Sequence, residues 1–137
     1  MACPFFLPTE RCATSLWPHA MRLPLGDAWQ GRCTAPGYEG AQPTDEQLKD
    51  GCNLGYARCP RLPERRPCDA VRLLLVRHRD RRLSIQYVCE IGHAPAAHGM
   101  LEYDAASACW TVAHADRCLQ RMAECYLDSY LRRNPDS

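Results

Sequence analysis

The sequence predicts an α+β fold, and three observations carry that expectation. Residues 70–112 alternate apolar and polar side chains in short runs, residues 113–133 repeat apolar residues at helical spacing, and residues 1–69 are interrupted throughout by proline and glycine. The expected architecture is an irregular Cys/Pro-rich N-terminal half, an antiparallel β-meander of three to four strands, and a C-terminal amphipathic helix. At 137 residues the chain has the length of a single domain. Within it, residues 1–69 are expected to form a metal-binding cysteine-rich wrap, and residues 70–137 to hold the meander and the helix.

In the first half, Pro4, Pro8, Pro18, Pro24, Pro36 and Pro43 exclude long helices and strands. Phe5, Phe6, Leu16, Trp17, Leu25 and Trp29 in the same stretch argue against a disordered linker. An ordered but irregular chain needs something to fix it, and a bound metal would do so. One short helix is legible: Thr44 caps it, Asp45 and Glu46 favour its first turn, and Gln47 completes a capping box. Gly51 suits its C-terminal stop, which would present Cys52 from a defined helix end.

The second half reads more regularly. Residues 70–78 form a strand with Val71, Leu73 and Leu75 on one face and Leu74 and Val76 on the other. Residues 79–82 are the hairpin tip. In the strand at 83–91, Leu83, Ile85, Tyr87, Cys89 and Ile91 face one side, with Ser84, Gln86 and Glu90 opposite. Residues 100–103 and 108–112 are two further short strands. A helix over 113–133 places Ala115, Leu119, Met122, Tyr126 and Tyr130 on one face, with Arg132 and Arg133 at its C-terminal end and Pro135 beyond.

The net charge of +1 gives no general attraction to nucleic acid or an acidic membrane. Lys49 is the only lysine. There is no basic segment followed by an apolar run at the N-terminus, and no apolar stretch of membrane-spanning length. The expected compartment is therefore a reducing cytoplasm. There, the ten cysteines are expected to hold metal or do redox work rather than form structural disulfides.

No C-x-x-C pair occurs, which removes zinc ribbons, zinc knuckles, thioredoxin-like motifs, c-type haem attachment and the common ferredoxin run. Local context separates the ten thiols instead. Cys3, Cys33, Cys52 and Cys59 each sit near proline or glycine in irregular chain, where a cluster's ligand loops can wrap and offer backbone N–H groups to sulfur. These four are the expected ligands of an iron–sulfur cluster of the 4Fe-4S type, with zinc as the alternative metal. Phe5, Phe6, Trp29, Leu54 and Tyr56 would keep water away, and Arg58 would offset negative charge. Cys12, Cys68, His93 and His98 are reserve ligands, the alternative for Cys12 and Cys68 being a pair with each other. Cys89, Cys109, Cys118 and Cys125 are expected to pack as small apolar residues.

Dispersed ligation with one remote cysteine loosely resembles the WhiB-like regulators, although their close C-x-x-C pair is missing. A second resemblance spans much of the chain. The runs Cys3-Pro4-Phe5-Phe6, Pro24-Leu25-Gly26-Asp27 leading to Cys33, Cys52-Asn53-Leu54-Gly55-Tyr56-Ala57, and Cys59-Pro60 resemble a set of small bacterial cysteine-rich proteins. Asp69-Ala70-Val71-Arg72 and residues 98–103 fit the same layout. That resemblance implies that Cys3, Cys33, Cys52 and Cys59 belong together; it implies no activity.

Evidence for an enzyme is thin. His93 and His98 are expected in a loop after the second strand, near Glu90 and Glu102, but without a nucleophile or phosphate loop. His19, His78 and His114 show no partner in sequence. Arg58, Arg61, Arg65 and Arg66, then Arg77, Arg79, Arg81 and Arg82, could touch phosphates, but Glu64, Asp69 and Asp80 interrupt them. A contact with an acidic protein explains them as well.

The expected function is that of a small iron–sulfur protein in electron transfer, or a cluster-bearing subunit of a larger complex. The alternatives are a zinc-stabilised interaction or regulatory module, a redox-sensing nucleic-acid-binding regulator, and a secreted disulfide protein.

Overall fold

The computed structural model describes residues 2–12, 23–48, 52–53, 59, 61–64, 66 and 68–134. The chain forms two antiparallel sheets and a C-terminal helix, a mixed α+β arrangement. Strands β1 (Phe6–Arg11) and β2 (Trp29–Cys33) pair as a small sheet, and α1 (Asp45–Gln47) follows. Strands β3 (Ala70–Arg79), β4 (Arg82–Ile91), β5 (Ala94–Asp104) and β6 (Cys109–Val112) form a meander in sequential order, and α2 (Arg117–Arg133) closes the chain.

The β3–β4 hairpin matches its sequence signal. Asp80 and Arg81 both have positive φ, 53° and 64°, the backbone of a tight two-residue turn that follows the twist of its strands. Val71 and Leu73 are buried, while Leu74 and Val76 are exposed on the outer face. The far end of β4 departs from the expected alternation. Ile91, expected on the apolar face, is 45% exposed, and Glu90, expected on the opposite face, is 4% exposed. The alternation changes phase at this end, with Val88 and Glu90 buried and Cys89 half-buried between them, and the chain leading into β3 bonds to the strand edge. The Asp69 amide donates to the Glu90 carbonyl at 2.7 Å, and the Glu90 carboxylate lies 3.8 Å from Arg72.

Strand β5 is much longer than expected, and this corrects the reading of His93 and His98 as one loop. Gly92 and His93, with φ of 57° and 65°, make the tight turn, so residues 94–98 are already in the strand. Pro95 is tolerated because it sits at a register irregularity beyond the reach of β6, where it lacks a second neighbouring strand. Helix α2 starts later than expected. Asp116 is its N-cap, its side chain accepting from the Leu119 amide at 3.0 Å, so Ala115 lies outside the helix and is exposed.

One apolar cluster joins the two halves. Leu73, Leu83, Ile85 and Leu101 from the meander share it with Phe6, Leu25, Trp29 and Leu48 from the first half and with Leu119, Met122 and Ala123 of α2. Polar ties fix the first half to α2. Arg121 donates to the carbonyls of Pro8 (2.9 Å) and Thr9 (3.0 Å) and stacks over the Trp29 ring. The buried Asp27 accepts from Ser129 at 3.0 Å, from Arg133 at 3.2 Å and from Arg132. The capping box forms as expected: the Gln47 amide donates to Thr44 Oγ1 at 3.2 Å, and the Thr44 amide donates to Gln47 Oε1 at 2.9 Å. The proposed stop at Gly51 lies outside the described residues.

Candidate metal centre

Cys3, Cys33 and Cys52 are each tied by backbone bonds to another part of the fold, while Cys59 is held in a local turn. Cys3 follows an antiparallel bridge in which Ala2 and Val71 exchange amide–carbonyl bonds of 2.7 and 2.8 Å. This ties the N-terminal segment to the inner end of β3. The Cys3 carbonyl then accepts the Phe6 amide at 3.1 Å, a turn that Pro4 favours. Cys33 ends β2 and pairs in register with Phe6. Its amide donates to the Ala41 carbonyl at 2.9 Å.

Gly31 makes this pairing possible. A Cβ at that position would lie 2.1 Å from the Leu7 carbonyl oxygen and 2.7 Å from Pro8 Cα, so only glycine permits β1 to approach β2 so closely. Cys52 is held by its neighbour Asn53, which is fully buried. Asn53 Oδ1 accepts from the Trp29 amide, and its amide group donates to the Trp29 and Leu48 carbonyls, each at 3.0 Å. Cys59 opens a short turn in which its carbonyl accepts the Leu62 amide at 3.1 Å.

These four segments bring their thiols into one neighbourhood. Cys52 is close enough to Cys3, Cys33 and Cys59 for their charges to oppose its ionisation, and Cys3 is opposed in the same way by Cys33 and Cys59. The Cys3 amide also donates directly to the Cys52 carbonyl at 3.1 Å. Burial pushes the Cys3 thiol up to about 11, against a lowering by the Phe5 backbone N–H. Burial likewise pushes Cys52 up to about 12, with the three neighbouring thiols adding to the rise. The Ala35 amide donates to Cys33 Sγ at 3.4 Å. Among the described residues, no three Cys, His, Asp or Glu side chains are gathered tightly enough for a single ion. The two findings concern different lengths. Charge coupling acts over several ångströms, whereas four sulfurs at about 2.3 Å from one zinc stand within about 4 Å of each other.

The structure adds a thiol that the sequence reading assigned to packing alone. Cys118, in the first turn of α2, is buried and near both Cys3 and Cys33. Its sulfur lies 3.2 Å from Thr34 Oγ1, which is also 2.8 Å from the Phe5 carbonyl. Burial raises the Cys118 pKa, and the Thr34 hydroxyl works against that rise. No sequence spacing could have joined residue 118 to residue 3. Cys125, two turns further along, is fully buried and pushed up to about 12 by that burial.

The reserve residues divide. Cys68 is buried just before β3 with its thiol 3.2 Å from the Ala70 carbonyl, and its electrostatic neighbour is Cys89 rather than any of the four. Cys12 lies just past β1, its amide donating to the Ala28 carbonyl at 2.9 Å. His93 is at the β4–β5 turn and His98 is opposite Val88 in β5, both exposed, so they form no common site. Two histidines without apparent partners gain them. His78 Nδ1 lies 2.8 Å from the Tyr130 hydroxyl, and His114 Nδ1 accepts from the Asp116 amide at 2.8 Å. Cys109 is exposed rather than packed. Leu54, Tyr56, Arg58, Arg65 and His19 lie outside the described residues. Arg77, Arg79 and Arg82 line a cleft shared with Asp80, Glu102 and Asp104, a mixed rather than uniformly basic surface. Among the described residues, no helix is long and apolar enough to cross a membrane.

Comparison of the chain with protein-family models, curated proteins and solved structures gives no match.

Proposed function

We propose that this protein binds an iron–sulfur cluster, of the four-iron type, through Cys3, Cys33, Cys52 and Cys59, and acts in cytoplasmic electron transfer or as the cluster-bearing subunit of a larger complex. The observation that carries this reading is the convergence of four cysteines from separate segments into one electrostatically coupled neighbourhood. As neutral thiols the four would pack without penalty; it is as thiolates that they repel one another. A cationic centre reverses the sign of that interaction and favours all four thiolates.

The donor set fits such a group. Sulfur ligands suit iron–sulfur clusters, and the backbone N–H groups of Phe5 and Ala35 already point at the sulfurs of Cys3 and Cys33. Such bonds draw charge from sulfur and raise a cluster's reduction potential. Cys3 and Cys52 pack against the apolar core, which limits water on that side. The chemistry a cluster would supply is one-electron transfer; the chain's part is to hold the thiolates, orient them and exclude solvent. A protein partner is the class proposed for the surface of Arg77, Arg79 and Arg82, which is mixed in charge because Asp80, Glu102 and Asp104 share it.

The test is iron, zinc and acid-labile sulfide per chain after anaerobic purification, with a visible spectrum of the same sample. Iron and sulfide in near-equal amounts, with a chromophore bleached by dithionite, are expected. Zinc without sulfide would replace the redox reading with a zinc-stabilised interaction module on the same four sulfurs. Absence of any metal would overturn both.

A further inference from the structure

The two edges of the meander are built differently. Strand β3 forms one edge, and it is obstructed along its length. Ala2 bridges to Val71 at one end, and the Tyr126 hydroxyl accepts from the Leu75 amide at 3.0 Å. A register irregularity follows between Leu75 and Arg77, and Arg72, Arg77 and Arg79 add charge. Such features keep a sheet edge from pairing further.

The other edge lacks them. Strand β6 reaches only Glu102, Tyr103 and Asp104 of β5. Residues 94–101 therefore pair with β4 on one side and, among the described residues, with no strand on the other. Ala94, Pro95, Ala96, Ala97 and His98 are all exposed, and Met100 is 42% exposed. No Asp, Glu, Lys or Arg occurs between Ala94 and Leu101. Pro95 has no amide hydrogen and limits new pairing at one end, and β6 limits it at the other. The open run is residues 96–100, whose outward main-chain groups have no strand to bond.

We propose that two copies of this chain associate through this edge, β5 against β5 antiparallel, joining two four-stranded sheets into one of eight strands. The occupant is a second copy because the edge is its own complement. A two-fold axis normal to the sheet sets identical strands antiparallel and keeps each face on its own side. Opposed residues must point to the same face, so the limits at Pro95 and Glu102 leave one centred register. His98 stands opposite His98 of the second copy, Ala97 opposite Gly99, and Ala96 opposite Met100. The pairs are matched in size. The Tyr87 side chain lies over Gly99, where even a Cβ would stand 2.5 Å from its hydroxyl, and the residue set against Gly99 is the small Ala97. Met100, in line with Gln86 and Leu74 on the outer face, meets the small Ala96. No permanent charges oppose each other across the axis. The contact is short, so it makes a weak, concentration-dependent dimer. It does not rest on the metal reading.

The experiment is sedimentation equilibrium of the purified full-length protein over a wide concentration range, for the wild type, His98→Glu and Leu74→Glu. A reductant is present so that no intermolecular disulfide through the exposed Cys109 contributes. Circular dichroism of each sample checks the fold. His98 is exposed, so a glutamate there leaves the monomer intact but sets two carboxylates face to face at the axis. Leu74 is equally exposed but lies on β3, two strands from this edge. The expected result is a reversible monomer–dimer equilibrium for the wild type and Leu74→Glu, with His98→Glu dissociating about tenfold more readily or more. Amides within residues 96–100 should exchange more slowly as wild-type concentration rises. A wild type that stays monomeric overturns the proposal. So does a dimer that His98→Glu leaves intact, or one that both substitutions disrupt.

Discussion

The Cys3 amide donates to the Cys52 carbonyl at 3.1 Å, joining two candidate ligands through the main chain. The bond joins the two main-chain segments that carry these thiols, and the Ala2–Val71 bridge and the Asn53 clamp hold those segments in place. Changes to that support should therefore be felt at the site.

Cys52→Ser and Cys59→Ser are expected to lose metal, because a hydroxyl is a poor ligand for a centre that selects thiolates. Cys125→Ala is expected to retain it at a cost of about 1–2 kcal/mol of packing. Cys118→Ala is the decisive control. Its sulfur is near Cys3 and Cys33 but engaged with Thr34, so metal content should be unchanged. Loss of metal from this variant, measured per chain, would make Cys118 a ligand in place of one of the four.

Gly31→Ala tests the scaffold without altering a thiol. The added carbon would meet the Leu7 and Pro8 backbone at 2.1 and 2.7 Å, so β1 must move from β2 and carry Phe6 away from Cys33. A loss of about 3 kcal/mol or more is expected in urea unfolding, with metal retention falling in parallel. Gly99→Ala is a milder comparison, since its close contacts, 2.5–2.8 Å, are with the Tyr87 side chain rather than with backbone.

Asn53→Ala removes three hydrogen bonds from a fully buried side chain and strands the Trp29 and Leu48 backbone groups. The expected cost is about 2–4 kcal/mol. Asn53→Asp keeps the acceptor for the Trp29 amide but loses both donors, and it should not recover the stability seen in thermal unfolding.

Metal uptake should release protons and strengthen with pH. Without metal, Cys3 and Cys52 ionise only near 11 and 12, so both are protonated at neutral pH. Each thiol deprotonated on binding raises the apparent affinity about tenfold per pH unit below those values. Chelator competition at pH 6 and pH 8 checks the sign: metal should be stripped more readily at pH 6. An affinity independent of pH would mean these two thiols stay protonated and are not ligands.

Local signals were sufficient where neighbours in sequence are also neighbours in space. The capping box of Thr44 and Gln47, the β3–β4 hairpin, and the apolar stripe of α2 around Leu119 and Met122 all follow from spacing alone. The β4–β5 turn was missed for a related reason. Pro95 and the run of alanines read as loop, but Gly92 and His93 already accommodate the positive φ that the reversal needs.

The amino-acid sequence by itself determined which cysteines stand beside proline or glycine in irregular chain, and so which four to consider together. Only the tertiary structure decided what else is near them. Cys118 reaches Cys3 and Cys33 because α2 packs across β1, and Cys68 has Cys89 as its electrostatic neighbour because the chain before β3 bonds to the end of β4. Both encounters are between segments distant in sequence. Spacing carries no information about such contacts, because they are fixed by burial of a shared apolar core and by the backbone bonds formed around it.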